Sequence, residues 1–447
     1  MPRRSVKFGI YLGFIVMILF TRFSRITAQT NDPSANDSDV ATAWFSLQLQ
    51  LVQETPGFTP PVVSRAFGYS GVALYEALVP GMSGYQTLGG QLNELREVPQ
   101  PVAGVVYHWP TVANSVLATI TRYLFANASD ENKAAMDRLY DQFADEYRAE
   151  TSSDVFSQSV TQGRIVADAI YIWSLTDGGN EGYLHNFPSD YLAPVGAGLW
   201  IPTPRANGAP QPAMQPYWGN NRTFALGSGE ECAPSAPPIY SEDPESAFYT
   251  EVLEVYNTET HLTPEQRDIA LFWADDPGAT ATPPGHWISI LNQVLETQGV
   301  VLDRAAEAYV KVGIALADSF IGCWHAKYQY NLIRPVTVIR AKLDPDWLPL
   351  VNTPPFPEYP SGHSVQSAAA AEVLTDLFGD RYAFTDQTHA DRGYLPRSFE
   401  SFQAAAAEAA ISRLYGGIHY RSAIEQGLAE GRCIGQQVNA IIFRVDA

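Results

Sequence analysis

The sequence predicts an all-α protein, and three observations support this fold class. From Asp39 onward, apolar residues recur three and four positions apart in most segments, which is the period of an amphipathic helix. Strand-like alternation is scarce. Of the 447 residues, 46% are hydrophobic and only 17% are charged, a composition that excludes a disordered chain and allows a large core.

The predicted helices fall on either side of a long irregular region. Before it they cover 41–53, 62–78, 111–125, 132–147 and 155–173. After it they cover 245–258, 264–274, 286–297, 303–326, 361–378, 398–415 and 421–443. Segments 338–343 and 394–396 resemble strands but are too short to change the fold class. The irregular region, 177–245, is rich in Gly, Pro, Asn and aromatic residues, and we interpret it as a long ordered loop with aromatic anchors.

The N-terminus has the pattern of a targeting segment. Arg3, Arg4 and Lys7 precede an apolar stretch at 8–20, and Ala28 offers a small residue for cleavage. We predict a signal peptide over 1–28, with an uncleaved N-terminal anchor as the alternative. A flexible linker over 29–38 and a single all-α domain over 39–447 follow. The mature protein is then expected to be secreted or extracytoplasmic, with no stable membrane span.

The net charge and the cysteine spacing limit the classes of partner and ligand that the protein is expected to bind. The net charge of -20 argues against nucleic acid, because nucleic-acid-binding proteins carry a basic footprint. At first sight it also argues against an anionic ligand. The three cysteines match no zinc-binding spacing. We expect a Cys323–Cys433 disulfide, since both residues lie near the motifs below, with inert buried thiols as the alternative.

Three segments of the last third carry residues suited to chemistry. In the first, Lys327 and Arg334 are seven apart, two turns of one helix face, although Pro335 favours a new helix start. No acid occurs at 319–343, and a solvated basic face is the alternative interpretation.

In the second segment, a Pro-rich approach ends at Ser361-Gly362-His363, where an Ala-rich helix begins. A helix N-terminus binds anions, but a plain Ser N-cap with an incidental histidine is equally compatible.

The third segment contains Arg413 and His419, with no acid at 409–424. Six residues apart, the two side chains are offset by roughly 120° on a continuous helix, so they converge only if Gly416-Gly417 breaks it. Together the segments supply two Arg, one Lys, a Ser hydroxyl, a Gly amide and two His. This set suits a tetrahedral oxyanion such as phosphate or vanadate, with the histidines at opposite ends of an in-line axis.

The order Lys-x6-Arg-Pro, Pro-Ser-Gly-His and Ser-Arg-x5-His resembles the signature shared by vanadium-dependent haloperoxidases and type-2 phosphatidic acid phosphatases. The resemblance implies helical bundles of that type, with the active-site core at about 270–445. The length of the chain favours the haloperoxidase side, because secreted phosphatases of this superfamily are usually much shorter. Asp often follows the last His by four residues, but Ala423 stands there, so a backbone carbonyl or Glu425 would have to orient His419.

The haloperoxidase resemblance implies a role for each motif residue. His419 would ligate vanadium, and Lys327, Arg334, Ser361, Gly362 and Arg413 would hold the vanadate oxygens. His363 would act as acid and base, and Lys327 would polarise bound peroxide. By the same resemblance, Trp324 and Phe356 would line a halide pocket. The expected reaction converts halide and hydrogen peroxide into hypohalous acid. In the phosphatase alternative no vanadate is needed, and His419 attacks a phosphomonoester or lipid phosphate to form a phosphohistidine.

Two further histidines have less support. His286, in Pro-Pro-Gly-His286-Trp287, could reach the pocket, but we interpret it as a structural histidine packed on Trp287. His389 has no neighbours in sequence that suggest chemistry.

Overall fold

The computed structural model describes residues 32–203 and 211–445, which lie within one compact unit. The predicted signal peptide or anchor over 1–28 lies outside these residues. Within them the regular structure consists of thirteen α-helices and one two-stranded sheet. The helices are α1 (Asp39–Glu54), α2 (Pro60–Leu78), α3 (Trp109–Leu124), α4 (Asp130–Glu150), α5 (Ser153–Ser174), α6 (Ala247–Thr260), α7 (Pro264–Phe272), α8 (Thr282–Gln298), α9 (Leu302–Tyr330), α10 (Pro335–Lys342), α11 (Gly362–Phe378), α12 (Phe402–Tyr415) and α13 (Arg421–Asn439).

The all-α prediction is confirmed, and each predicted helix has a counterpart. The prediction missed α10, because its first residue is Pro335 and its short apolar run at 338–343 resembles a strand. Strand β1 (Phe384–Asp386) pairs antiparallel with β2 (Arg397–Phe399), and Asp386 lies opposite Arg397. This hairpin occupies the connection between α11 and α12.

The long helix α9 is central to the packing, since it contacts α2, α8, α11 and α13. Close approach of α2 and α9 depends on glycine. A Cβ atom on Gly313 of α9 would lie 2.6 Å from the carbonyl oxygen of Phe67, and one on Gly71 of α2 would lie 2.7 Å from that of Tyr309. Both distances are too short for a real contact, so a side chain at either position would force the helices apart.

A second bundle is formed by α11, α12 and α13, with α9 against it. Gly431 allows α13 to lie close to α11, because a Cβ there would overlap the carbonyl of Val365. This packing brings the C-terminal end of α9, the N-terminal end of α11 and the α12–α13 connection to the same region. All three sequence motifs lie at these helix ends.

The irregular region between α5 and α6 is ordered over its described residues, as predicted. It contains only short 3-10 turns there, and Trp200, Trp218 and Phe224 anchor it in the interior. Asp318 of α9 holds part of it by accepting hydrogen bonds from the amides of residues 224–226. The loop therefore covers α9 rather than linking two separate domains.

Two sequence predictions need correction. Residues 32–38, predicted as part of a flexible linker, form a 3-10 turn at Pro33–Ala35, and Asp37 makes a bridge to Val301, so this stretch is held on the domain. The disulfide joins Cys232 to Cys433, and Cys323 is a free buried thiol. Cys232 lies in the irregular loop, far from Cys433 in sequence, so the pairing depends on how that loop folds back over α13. No helix in the described ranges is long and apolar enough to cross a bilayer.

Candidate active site

The turn between α9 and α10 places Lys327 and Arg334. Lys327 lies in the last turn of α9, and the helix ends where Asn331 adopts a left-handed conformation with φ of +46°. Arg334 is the N-cap residue of α10, and Pro335 occupies its first position. The prediction that both cations share one face of one helix is therefore wrong. They converge because the chain reverses between two helices.

Helix α11 begins directly after Ser361, as both interpretations of this segment predicted. Ser361 is the N-cap residue and is fully buried, and its Oγ accepts a hydrogen bond of 3.4 Å from the amide of Ser364. Gly362 and His363 form the first turn, where backbone N–H groups have no partner within the helix. The positive end of the helix dipole thus faces the same region as the two cations.

The helix breaks at the glycine pair between α12 and α13, which is the condition under which Arg413 and His419 can converge. Helix α12 ends at Tyr415, and Gly417 has a φ of +77°, a conformation that favours glycine. Arg413 lies in the last helical turn, and His419 lies in the connection that follows. Both side chains are buried.

Backbone carbonyls position the two cations from the first motif. The Lys327 ammonium donates hydrogen bonds to the carbonyl oxygens of Pro357 (3.1 Å), Glu358 (2.9 Å) and Pro360. Arg334 donates to the carbonyls of Phe356 (3.0 Å) and Ile418 (2.9 Å). Hydrogen bonds to carbonyls of the Pro-rich segment before Ser361 therefore hold both cations in place.

A buried carboxylate orients His419, and it is neither of the groups expected from the sequence. Nδ1 of His419 lies 2.8 Å from Oε1 of Glu358, and the same oxygen accepts the amide of Tyr420 at 2.9 Å. Glu425 is exposed. Glu358 lies in the Pro-rich approach, so the carboxylate precedes the histidine by 61 residues instead of following it.

The backbone of Trp273 connects Arg413 with His363. Nη1 of Arg413 donates to the Trp273 carbonyl at 2.9 Å, and the Trp273 backbone also hydrogen-bonds His363. Trp273 directly follows α7. The role of Trp273 could not be predicted from the sequence, because a backbone carbonyl carries no sequence signal.

The electrostatics of the site reflect cations that are buried with too few negative charges. Burial lowers the pKa of Lys327 to about 8 and the pKa values of Arg334 and Arg413 to about 10. Burial, together with these neighbouring cations, holds the pKa of His419 well below its usual range, and burial and Arg413 do the same for His363. Burial raises the pKa of Glu358 to about 8 although Arg334 and Lys327 oppose the shift.

An anion of the predicted type fits these residues. Nη2 of Arg334, Nε of Arg413 and Nε2 of His363 are buried and have no hydrogen-bond partner within the described part of the chain. Buried polar groups in proteins are normally hydrogen-bonded, and buried charges are normally paired. A tetrahedral oxyanion supplies acceptors to the two arginine nitrogens and the negative charge that the cations lack, and a protonated oxygen of the anion can donate to His363.

Two aromatic side chains border the cations. The rings of Trp324 and Phe356 lie 4.9 Å apart, and the Lys327 nitrogen lies 5.0 Å from the Phe356 ring centre. Arg334 also faces this ring, at 5.0 Å. The structure thus brings the predicted halide-pocket residues together beside the cation cluster.

Known proteins share this architecture. Residues 307–445 match a family model described as the second helical-bundle domain of vanadium chloroperoxidase. The solved structure of a bacterial vanadium-dependent iodoperoxidase is 37% identical, with 92% of this chain and 98% of that one covered and a TM-score of 0.83. The chain belongs to the vanadium-dependent haloperoxidases. The resemblance stated from the sequence is confirmed.

Two more distant relatives agree with this assignment. Vanadium chloroperoxidase from Curvularia inaequalis is 24% identical to this haloperoxidase over 88% of the chain and 80% of its own length. A bacterial vanadium-dependent chloroperoxidase of known structure is 16% identical, has a TM-score of 0.67, and shares the fold over 88% of this chain and 93% of its own. The haloperoxidase assignment makes this protein an enzyme, and the phosphatase alternative is not favoured.

Proposed function

We propose that this enzyme binds vanadate at the cation cluster and oxidises halide with hydrogen peroxide to hypohalous acid. The observation that carries the proposal is the convergence of Lys327, Arg334 and Arg413 in one buried site. Burial raises the pKa of the carboxyl groups of Glu358 and Glu430 beside Lys327 and so disfavours their charged forms. Burying charges without partners is costly, so such a site favours binding of a multiply charged anion.

In this proposal, one set of site residues would hold the vanadate oxygens and one histidine would ligate the vanadium. Lys327, Arg334 and Arg413 would bind the vanadate oxygens as charged donors, and the Gly362 amide and Ser361 hydroxyl would add neutral ones. His419 would ligate vanadium through Nε2. The neighbours of His419 favour this, because an arginine N–H can only donate and Nη1 of Arg334 lies 3.3 Å from Nε2.

Glu358 determines which nitrogen of His419 is available as a ligand. If Nε2 accepts from Arg334, the proton of the neutral ring resides on Nδ1, which then donates to Oε1 of Glu358. The ring therefore presents a lone pair at Nε2, which is the form that a metal ligand requires.

His363 is suited to proton transfer at the opposite end of the site. Its Nε2 has no protein partner within the described residues, so it is free to give a proton to, or take one from, a bound oxygen. The net reaction takes up one proton for each halide and peroxide converted to hypohalous acid and water, and a neutral histidine in contact with bound oxygen can relay that proton.

Vanadate, when bound, supplies a Lewis-acidic V(V) centre that activates hydrogen peroxide without changing its own oxidation state. Trp324 and Phe356 offer an apolar, cation-facing surface on which a halide can lose part of its hydration. The relatives with chloroperoxidase and iodoperoxidase activity make chloride, bromide and iodide the substrates to compare.

We also propose that the enzyme acts outside the cytoplasm. The N-terminal pattern of the sequence supports this, and so does the Cys232–Cys433 disulfide, because disulfides persist mainly in oxidising compartments. Mass spectrometry of the protein from the native host would test the proposal. An N-terminus near Gln29 in the extracellular fraction is the expected result, and an intact N-terminus in a membrane fraction would favour the anchor.

The activity is tested with the metal-free enzyme, assayed with vanadate, peroxide and each halide, and in parallel with a chromogenic phosphomonoester. We expect halogenation that requires vanadate and is inhibited by phosphate. His419→Ala should abolish it, whereas His261→Gln, at an exposed histidine with only local contacts, should leave it unchanged. Phosphate release without halogenation would overturn the proposal.

A further inference from the structure

A second buried polar cluster lies outside the proposed vanadate site. It consists of Asp275, which follows α7, His286 of α8, Asp386 of β1 and His389 of the hairpin connection. All four side chains are buried. The Asp386 and His389 pair follows the Asp275 and His286 pair by 100 residues or more, and the sequence assigned no role to His389.

His286 is the centre of this cluster. Its Nδ1 lies 2.9 Å from Oδ2 of Asp275, and its Nε2 lies 2.7 Å from Oδ2 of Asp386. Carboxylate oxygens accept hydrogen bonds, so each ring nitrogen must carry a hydrogen. The other oxygen of Asp275 lies 3.0 Å from Nε2 of His389. Both oxygens of Asp275 and both nitrogens of His286 are thus used within the protein.

Asp275, His286 and His389 are residue types that can ligate a metal, and their ligand atoms lie within 4.8 Å of one another. A metal would need a free nitrogen on His286, but both nitrogens already donate to carboxylates. The hydrogen bonds account for these atoms without an ion. The geometry therefore favours a structural network over a metal centre.

The network is connected to the active site through Trp273. The indole of Trp273 stacks on the His286 ring, with the ring centres 4.3 Å apart and the planes at 19°. Its Nε1 donates to Glu408 of α12 at 3.0 Å. Asp275 lies two residues further along, with a φ of +50°, which a residue other than glycine adopts only when its surroundings hold it.

The backbone of Trp273 joins this network to the proposed vanadate site. Its carbonyl accepts a hydrogen bond from Arg413, and its backbone also hydrogen-bonds His363. When one carbonyl holds an arginine by a hydrogen bond, the position of that carbonyl determines the direction of the remaining N–H groups. We propose that His286, through its hydrogen bonds to Asp275 and Asp386, is a positioning residue that holds the Trp273 carbonyl and thereby aims Arg413 and His363 at the bound oxyanion.

This inference rests on the proposed vanadate site, and inorganic phosphate is a probe that avoids catalysis. We would measure phosphate binding to the metal-free enzyme by calorimetry, below the melting temperature of every variant. His286→Gln keeps at most one of the two hydrogen bonds. Its phosphate affinity should fall about 10- to 100-fold, the usual effect of losing a residue that orients a ligand-binding group. Asp386→Asn keeps an acceptor for Nε2 and should stay within about threefold of wild type.

Two control variants distinguish a general loss of stability, an incorrect oxyanion site and an incorrect positioning role. Arg65→Gln breaks a buried ion pair with Asp177 whose hydrogen bonds go to no active-site residue. It should lower the melting temperature while leaving phosphate affinity unchanged. Arg413→Gln removes a proposed oxyanion ligand. If that variant binds phosphate as wild type does, the proposed site is wrong. If it loses affinity while His286→Gln does not, only the positioning role is wrong.

Two further outcomes complete the test. If His286→Gln does not fold, Asp386→Ala removes a single partner and should still weaken phosphate binding by about fivefold or more. Unchanged affinity in that folded variant would overturn the inference. Elemental analysis of the purified enzyme distinguishes the metal alternative. A stoichiometric divalent ion that is lost in His389→Ala would show that the cluster is a metal site instead.

Discussion

Oε1 of Glu358 accepts hydrogen bonds from both Nδ1 of His419 and the amide of Tyr420, at 2.8 and 2.9 Å. This pair of contacts fixes the ring and the start of α13 together. The carboxylate reaches the histidine from the Pro-rich approach to α11, a position that sequence distance alone does not suggest.

Replacing Glu358 tests this relationship. Glu358→Gln keeps an oxygen that can accept both hydrogen bonds but cannot ionise. Burial raises the pKa of Glu358 to about 8, so above that pH, where wild type carries the charge, His419 should be a weaker ligand in the variant. We expect vanadate affinity to fall about 10- to 100-fold. Titration of the metal-free enzyme with vanadate, followed by activity recovery, measures it. Glu425→Gln is the matched control and should match wild type, because Glu425 is exposed.

Oxyanion binding should stabilise the folded enzyme. The site buries cations that an anion would pair, and a ligand that binds only the native state raises stability by RT ln(1 + [L]/Kd). At a concentration 100 times the Kd, the gain should be about 2.7 kcal/mol, visible as a higher melting temperature with vanadate or phosphate. Arg334→Gln should reduce this shift. A shift of equal size in wild type and variant would contradict the site assignment.

The His286 network should make stability fall in mildly alkaline solution. Burial lowers the pKa of His286, but Asp275 and Asp386 outweigh it and raise the pKa to about 10. In the unfolded chain the pKa is about 6.5, so this contribution is fully present below pH 6.5 and is lost as pH rises towards 10. The His286 contribution to the free energy of unfolding should therefore fall by up to about 1.4 kcal/mol per pH unit in that window. Lys327, whose pKa burial lowers to about 8, acts in the opposite direction above pH 8, so a His286 variant is needed to isolate the effect.

Urea unfolding at several pH values from 6 to 10 measures this slope. His286→Gln cannot take up the proton, so its curve should be flatter than that of wild type over the same window. Parallel curves would show that the ring is neutral in the native protein.

The Cys232–Cys433 disulfide should contribute to stability, because it closes a separation of 201 residues and ties the irregular loop to α13. Removing it as Cys232→Ala with Cys433→Ala should cost about 2 to 5 kcal/mol in the free energy of unfolding. Chemical denaturation measures the loss. Cys323→Ala is the control, because it removes the free buried thiol and keeps the disulfide; a reducing agent should destabilise it as it does wild type.

The acidic surface should slow halide capture at low salt. With a net charge of -20, long-range repulsion opposes the approach of an anion, although the pocket itself is cationic. Raising ionic strength from about 0.01 to 0.15 M shortens the screening length from about 30 to 8 Å. We expect kcat/KM for halide to rise when sodium nitrate is added over this range. A decrease from the outset would indicate that the local cations, not the overall charge, govern approach.

Sequence periodicity was sufficient for the longer helices, because apolar residues recur three and four positions apart in each of them, even in α2 and α9, which are buried along almost their whole length. It failed at α10, which is too short to show a period and begins with proline. The motifs identified Lys327, Arg334 and His419 because their chemistry is unusual for an acidic chain. The hairpin at 384–399 carries too little pattern to be recognised, yet it delivers Asp386 to the interior.

By itself, the sequence determined the fold class, the family and the residue types of an anion-binding site, since each is encoded in local spacing. Only the tertiary structure decided which groups support that site. Glu358 reaches His419, Trp273 reaches Arg413, and Cys232 reaches Cys433 across long stretches of chain. Such pairs depend on how helices pack and loops fold back, and no local pattern records the resulting distances.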